Sequence, residues 1–139
     1  MRKVMFFGAF DGLHPGHLDF FRQAKKYGNF LIVSVATDKN VKKIKGREAL
    51  FGQLERLKLV SSLKIVDRAI LGGEEDFFAH IKAEQPDVIC LGYDQWAKEA
   101  DVILELRRVG LLATEVYRLR PYKSQKAKST HLKNHSVDF

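Results

Sequence analysis

Apolar residues in this chain fall into five short runs, and longer amphipathic stretches separate them. The second and fourth runs, FLIVSVA (30–36) and DVICLG (87–92), are nearly continuous runs of apolar residues. Strands that are covered on both faces have this pattern, because neither face meets water. The five runs predict strands over 3–7, 30–36, 66–71, 87–92 and 113–119.

The stretches between these strands have the apolar spacing of helices. In 17–27, Leu18, Phe21 and Ala24 recur every three residues, and Gly28 stands where a helix C-cap is expected. Further helices are predicted over 53–63, 77–83 and 97–109, the last of them closed by Gly110. This alternation predicts a single domain over 1–139 with an α/β fold, namely a Rossmann-like, doubly wound, parallel five-stranded sheet in three layers. In such sheets a ligand binds beyond the carboxyl ends of the strands, where the strand order reverses.

The composition is that of a globular protein, with 45% hydrophobic and 29% charged residues. No apolar run approaches the roughly 20 residues that cross a bilayer, and the N-terminus lacks a signal-peptide pattern. The single cysteine, Cys90, cannot form an internal disulfide and is expected to be a small buried hydrophobe. These features predict a cytoplasmic protein with no membrane partner.

Basic residues outnumber acidic ones, 24 to 17, which gives a formal net charge of +7. Lysines cluster at 39–45 and again at 123–133. Such clusters suit a nucleic-acid backbone, a small polyphosphate ligand in one pocket, or a solvated surface. The charge pattern alone leaves all three open.

The loop after the first predicted strand, GAFDGLHPGH (8–17), places two histidines three residues apart at the start of a helix. It has neither the Gly-Lys-Ser/Thr ending of a P-loop nor a G-x-G-x-x-G fingerprint. Its glycines permit close approach of a ligand to the backbone, and the N–H groups of the following helix attract an anion such as phosphate. We expect His14 and His17 to donate hydrogen bonds to that phosphate. Helix capping and metal ligation are the alternatives for this spacing.

Such a site suits attack on the α-phosphate of a nucleotide by another phosphate, which is already ionised at neutral pH. The protein then needs no general base, and its work is to position both groups and to stabilise the charge of the transition state. Histidines, lysines and a divalent metal suit that task. The chain shows no catalytic-triad pattern and no zinc-ligand spacing.

The same loop resembles the H-x-G-H signature of the cytidylyltransferase-like nucleotidyltransferases, with His14, Gly16 and His17 in the motif positions. VSVATDKNVKKIKGR (33–47) resembles the family's second strand and the basic loop that follows it, and ERLKLVSSLKIVDRAILG (55–72) its next helix and strand. PDVICLGYDQW (86–96) resembles the strand and the nucleotide-contacting loop after those. The resemblance implies transfer of an NMP from an NTP to a phosphate-bearing acceptor, with release of pyrophosphate. It also implies that Mg²⁺ or another divalent cation accompanies the NTP.

The resemblance assigns roles to individual positions. His14, His17 and Lys45 would be the catalytic residues, and the histidines would stabilise the triphosphate in the transition state. Lys42 would face the acceptor phosphate or the triphosphate, and Arg56 would help from its helix. Nucleotide contacts are implied for Ala9, Phe10, Asp11, Gly16, Gly92 and Asp94, of which Asp94 would contact a ribose hydroxyl or Mg²⁺.

The C-terminal stretch YKSQKAKSTHLKN (122–134) departs from the R-T-E-G-I-S-T-S/T signature of bacterial glycerol-3-phosphate cytidylyltransferases. Ser129 and Thr130 match the hydroxyl pair of that signature and are expected to bind nucleotide at a helix N-terminus. The signature arginine is missing, and Lys126 or Lys128 cannot form its bidentate fork.

Two other segments favour a different acceptor. The basic loop VKKIKGR and the loop LGYDQ resemble archaeal-type FAD synthases, which transfer AMP from ATP to FMN. The predicted reaction is therefore FMN adenylylation, with glycerol-3-phosphate cytidylylation as the alternative. A non-catalytic nucleotide- or RNA-binding module with the same fold is a third possibility, supported by the net charge and the lysine-rich tail. We expect small-molecule substrates, no nucleic-acid partner and a homodimer, as is common among relatives of this fold.

Overall fold

Strands and helices alternate along the part of the chain that the computed structural model describes, residues 1–73, 77–95 and 97–122. The strands are β1 (Lys3–Gly8), β2 (Phe30–Val35), β3 (Arg68–Leu71), β4 (Val88–Leu91) and β5 (Glu115–Arg118). The helices are α1 (Pro15–Lys25), α2 (Asp38–Lys45), α3 (Gln53–Ser61), α4 (Phe77–Glu84) and α5 (Glu99–Arg108). These strands pair in parallel in the order β3-β2-β1-β4-β5. The predicted doubly wound five-stranded sheet is confirmed.

The central strands are buried on both faces of the sheet, as their apolar sequences require. Successive side chains of a strand point to opposite faces. Val4 and Phe6 of β1 therefore belong to one apolar cluster, whereas Met5 and Phe7 belong to another. The first cluster includes residues of α1 and α3, and the second includes residues of α4 and α5, so that helices cover both faces. Cys90 is buried in the first cluster, and burial raises the pKa of its thiol to about 12.

The basic segment expected to be a loop is a helix, α2, and this corrects the sequence analysis. The side chain of Thr37 caps its N-terminus by accepting a hydrogen bond from the backbone N–H of Asn40 (3.2 Å). Gly46 ends it with φ of 72°, in the left-handed region that favours glycine. Val41 is the buried residue of this helix, so it has too little apolar periodicity to be recognised from hydrophobic pattern.

Gly28 has a different role from the C-cap expected of it. Helix α1 ends at Lys25, and its C-cap is Lys26. A Cβ atom on Gly28 would lie 2.5 Å from the carbonyl oxygen of Arg2. This glycine therefore allows the turn before β2 to pack against the chain entering β1. Gly110 does end α5 as expected, with φ of 91°.

The topology places the loops after β1 and β4 next to each other at the carboxyl edge of the sheet. From β1 the order continues to β2 on one side and to β4 on the other, so the strand order reverses between β1 and β4. This is the position at which doubly wound sheets bind ligands. No helix among the described residues is long and apolar enough to cross a membrane.

Candidate active site

A tightly packed turn carries the chain from β1 to the histidines. Phe10 has φ of 55°, an uncommon conformation for a residue with a side chain. Its buried ring packs against Phe6, Phe21 and the ring of His17. A Cβ atom on Gly8 would lie 2.7 Å from that ring, so the turn requires glycine there. Packing of Phe10 thus fixes the start of the histidine loop.

His14 and His17 lie side by side at the N-terminus of α1, with ring centroids 3.9 Å apart. Nδ1 of His14 accepts a hydrogen bond from the backbone N–H of Gly16 (3.1 Å). Nδ1 of His17 accepts one from the backbone N–H of His14 (3.3 Å). The two side chains therefore form a reciprocal capping box, in which histidines take the places usually filled by Ser or Thr and by Glu or Gln.

These two bonds determine which nitrogen of each ring carries the proton. A ring nitrogen that accepts from an amide is unprotonated, so the proton of each neutral imidazole is on Nε2. Burial, and then the charges of His14 and Lys45, lower the pKa of His17 to about 3. His17 is therefore neutral at physiological pH. Each ring of the pair can offer an Nε2–H donor to an anion.

The lysines predicted for the site lie on α2. Lys45 is partly buried, and its charge is one of the causes that lower the pKa of His17. Lys42, one turn earlier, is exposed and has its Nζ 3.9 Å from a carboxylate oxygen of Glu48. The structure thus brings Lys45 to the histidine pair and leaves Lys42 at the surface of the same helix.

Arg56 does not have the position predicted for it. Its side chain is fully buried, so it is not available to an acceptor, and this corrects the sequence analysis. Its guanidinium donates to the carbonyl oxygens of Ala9 (2.8 Å), Ala36 (2.7 Å) and Phe51 (2.8 Å) and to the carboxylate of Asp38 (2.9 Å). Arg56 therefore ties together the ends of β1 and β2 and the entry to α3.

Asp11 holds the histidine loop to the segment before α3. Its two carboxylate oxygens accept hydrogen bonds from the backbone N–H groups of Leu50 (2.7 Å) and Phe51 (2.9 Å). The structure therefore gives the Asp11 side chain a partner within the protein. The nucleotide contacts expected of Ala9, Phe10, Asp11 and Gly16 stay predictions, and Ala9, Phe10 and Gly16 are buried.

The loop after β4 is held by two residues that sequence analysis did not identify. The buried side chain of Gln95 accepts from the backbone N–H of Gly92 (2.7 Å) and donates to the carbonyl of Phe7 on β1 (2.9 Å). Arg118 of β5 donates to the carbonyl oxygens of Gly92 (2.9 Å) and Gln95 (2.8 Å). These bonds link the β4 loop to β1, next to the histidine loop. Hydrophobic patterning carries no signal for them, because each is a single polar residue bonded to backbone groups.

Of the remaining predicted site residues, two are described by the structure and two are not. Gly92 and Asp94 lie on this fixed loop, where Gly92 is buried and Asp94 partly buried. Ser129 and Thr130 lie outside the described residues. Among residues 1–73, 77–95 and 97–122, no group of three or more His, Cys, Asp or Glu side chains could hold a metal ion. Metal ligation by the histidine pair therefore lacks a third ligand in this part of the chain.

Known proteins resemble this chain along most of its length. A family model described as cytidylyltransferase-like matches residues 5–135. A protein named FAD synthase from Ferroglobus placidus is 48% identical over 120 residues, which cover 86% of this chain and 77% of that protein. A protein of the same name from Picrophilus torridus is 37% identical over 137 residues, 99% of this chain and 97% of that one. The crystal structure of a lipopolysaccharide core biosynthesis protein from Thermoplasma volcanium GSS1 has a TM-score of 0.85 at 39% identity, and the match covers 88% of this chain and 99% of that one.

Proposed function

Because this chain belongs to the cytidylyltransferase-like family, we propose that it is an FAD synthase, which transfers AMP from ATP to FMN and releases pyrophosphate. The observation that carries the reaction is the histidine pair at the strand-order reversal, in which each Nδ1 atom accepts a backbone hydrogen bond and each Nε2 atom carries a proton that can be donated. The relatives named FAD synthase favour ATP and FMN over CTP and glycerol-3-phosphate.

In the proposed reaction an oxygen of the FMN phosphate attacks the α-phosphorus of ATP. The bond from that phosphorus to the bridging oxygen of the β-phosphate breaks, and its electron pair leaves with pyrophosphate. His14 and His17 donate their Nε2–H groups to the phosphate oxygens whose negative charge increases. Lys42 and Lys45 supply positive charge from α2. No proton has to be abstracted, because the attacking phosphate is ionised, so the protein acts by positioning and electrostatics.

The nucleoside half of ATP is proposed to lie against the β4 loop. Gly92 and Asp94 are the predicted contacts, and Asp94 would meet a ribose hydroxyl. Gln95 and Arg118 fix the backbone of this loop relative to β1. A loop held in this way loses little conformational entropy when it binds nucleotide. We assign Gln95 and Arg118 the role of positioning residues.

Divalent cations accompany nucleoside triphosphates in the reactions of this family. The described residues provide no cage of three or more ligands. Mg²⁺ usually needs only one or two carboxylates when phosphates supply its other ligands, and Asp94 is the residue predicted to contribute one. When bound, the cation would neutralise charge on the triphosphate.

The assignment is tested by a coupled assay with inorganic pyrophosphatase. The protein is incubated with Mg²⁺, either ATP or CTP, and either FMN or glycerol-3-phosphate. We expect phosphate release and an FAD peak in chromatography only with ATP and FMN. Turnover only with CTP and glycerol-3-phosphate would replace the assignment with the alternative. Absence of turnover with every pair, together with salt-dependent RNA binding, would favour the binding module.

We further propose that the enzyme is cytoplasmic, as its sequence predicts, and a homodimer, as is common among relatives of this fold. Sedimentation equilibrium would give twice the 15.9 kDa mass of the chain. A mass of one chain at assay concentration would reject the dimer and leave the proposed reaction unaffected.

A further inference from the structure

A narrow cavity of about 60 Å³ opens at the carboxyl ends of β1 and β2, on the side of the sheet away from β4. Phe7 of β1 and Phe77 of α4 form apolar walls, and Ile44 of α2 borders the opening. The volume corresponds to roughly four water-sized positions, which is enough for one edge of a ring and too small for a complete tricyclic system. The mechanism described above does not use this cavity.

One polar side chain, Ser34, lies on the inner wall of this otherwise apolar space. It belongs to the central strand β2, where it is 3% exposed and its neighbours are Val33 and Val35. Its Oγ lies 3.0 Å from Nε2 of His80 on α4. Nδ1 of His80 in turn lies 3.1 Å from the carbonyl oxygen of Phe77. The bond to His80 offsets the cost of burying the hydroxyl on this central strand.

The direction of these bonds follows from the Phe77 carbonyl, which can only accept. Nδ1 of His80 therefore carries a proton, and the Nε2 atom of the neutral ring is an acceptor. Burial lowers the pKa of His80, although the Phe77 carbonyl and Glu84 act in the opposite direction, so the ring is neutral at pH 7. The hydroxyl of Ser34 consequently donates to Nε2. Its oxygen keeps lone pairs that can accept a hydrogen bond from a ligand in the cavity.

The residues at the bottom and at the opening of the cavity leave space for such a ligand. A Cβ atom on Gly72, which follows β3, would lie 3.3 Å from Oγ of Ser34 and would fill the space above the hydroxyl. The side-chain amide of Asn40 on α2 donates to the carbonyl of Gly73 (2.9 Å) and holds α2 against this rim. A ligand edge that enters here meets an apolar wall formed by Phe7 and Phe77, whose ring centroids are 5.2 Å apart, and the hydroxyl oxygen of Ser34.

We propose that this cavity binds the imide edge of the flavin ring, with the N3–H group of FMN donating to Oγ of Ser34. The isoalloxazine ring has one N–H group, on an edge that is flat and narrow enough for the space. The phosphate end of FMN then leaves the cavity past Ile44, which is followed on α2 by Lys45. The assignment rests on the proposed FAD synthase activity and makes Ser34 a specificity residue, with His80 as its positioning residue.

The test compares FMN with an analogue methylated at N3, which lacks the N–H donor. For the wild-type protein we expect the methylated flavin to have a KM at least tenfold above that of FMN, because Ser34 loses its ligand partner and the methyl group enters its space. In Ser34→Ala the KM for FMN should rise about tenfold, and the ratio of the two KM values should fall close to one. The KM for ATP should not change in either protein. Ser61→Ala, on the exposed surface of α3, is the control and should retain the wild-type ratio.

Ser34→Cys, with a similar side-chain volume and a weaker acceptor, provides a second variant should Ser34→Ala fold poorly. It should show an intermediate ratio. Equal KM values for the two flavins in the wild type, or an unchanged ratio in both Ser34 variants, would overturn the assignment while FAD synthesis continues. Failure of the wild type to convert FMN with ATP would instead remove the proposed function itself, and this assignment with it.

Discussion

At the scale of single residues, the histidine pair combines a structural and a chemical role. Each Nδ1 atom caps the start of α1, and this leaves each Nε2–H group as a donor. A protonated pair would bring two positive charges within 3.9 Å of each other, and burial disfavours it further. The sequence could indicate the position of this pair. The protonation state depends on backbone contacts and burial, which only the folded structure defines.

We predict that His17→Ala lowers kcat about 100- to 1000-fold, the usual effect of removing one donor to transition-state charge. Steady-state kinetics with ATP and FMN measures the change. His17→Asn is the informative companion, because its side-chain oxygen can still accept from the N–H of His14, while its NH₂ group is on a shorter side chain and does not reach the position of the Nε2–H group. An equal loss of kcat in both variants identifies the Nε2–H group as the cause. Recovery of activity in His17→Asn would show that capping alone matters.

At the scale of elements, α2 shows where sequence patterning stops being informative. Strands β1, β2 and β4 could be predicted because both of their faces are apolar. At most strand ends, the observed and the predicted boundaries differ by no more than one residue. Helix α2 buries only Val41 and depends on Thr37 and Gly46 at its ends. Its lysines look like a charged loop in the sequence. The capping residues at its two ends therefore define this helix, and hydrophobic periodicity does not.

The placement of Lys45 on α2 predicts a kinetic effect of its removal. Lys45→Ala should raise the KM for FMN, or lower kcat if the contact strengthens in the transition state, by about tenfold. The pKa of His17 should rise as well, because the charge of Lys45 is one of the causes that lower it. Lys43→Ala, an exposed lysine of the same helix, should leave both kinetic parameters unchanged. Identical kinetics in the two variants would exclude Lys45 from the site.

Arg56 connects three elements and should matter for stability. Arg56→Met keeps much of the side-chain volume but leaves three carbonyl oxygens and Asp38 without their guanidinium donor. We expect the free energy of unfolding to fall by about 3 to 5 kcal/mol, as for other broken buried networks. Arg108→Met, which removes an exposed ion pair with Glu105, should cost less than about 1 kcal/mol. Urea titrations of both variants compare these values, and similar losses would contradict the structural role of Arg56.

At the scale of the whole molecule, the two proposed substrate positions lie on either side of β1 along the same sheet. Nucleotide is assigned to the side of β1 and β4, and the flavin edge to the side of β1 and β2. Fold class and the region of the site could be predicted, because strand order and motif position determine them. The roles proposed for Arg118, Gln95 and Ser34 could not be predicted from the sequence, because they arise from contacts between residues far apart in the chain.

Stability should depend on pH in the range where His17 titrates only in the unfolded chain. Its pKa is about 3 when folded against an ordinary 6.5, so below pH 6.5 the unfolded state binds an additional proton. The free energy of unfolding then falls as the pH falls, and above pH 6.5 this contribution disappears. Between pH 6.5 and 5 we expect the wild type to lose about 1.5 kcal/mol more than His17→Asn, which has no titrating ring. Parallel pH dependence of the two proteins in denaturant titrations would show that His17 titrates normally.

The two hydrogen bonds that Asp11 accepts also restrain the segment before α3. Leu50 is 81% exposed and Phe51 42% exposed, so the segment before α3 looks from outside like a loose surface loop. Its amide groups are nonetheless held by Asp11, and its Phe51 carbonyl by Arg56. These amides should exchange with deuterium slowly, and proteases that cut beside large apolar residues should spare this segment until the histidine loop itself opens.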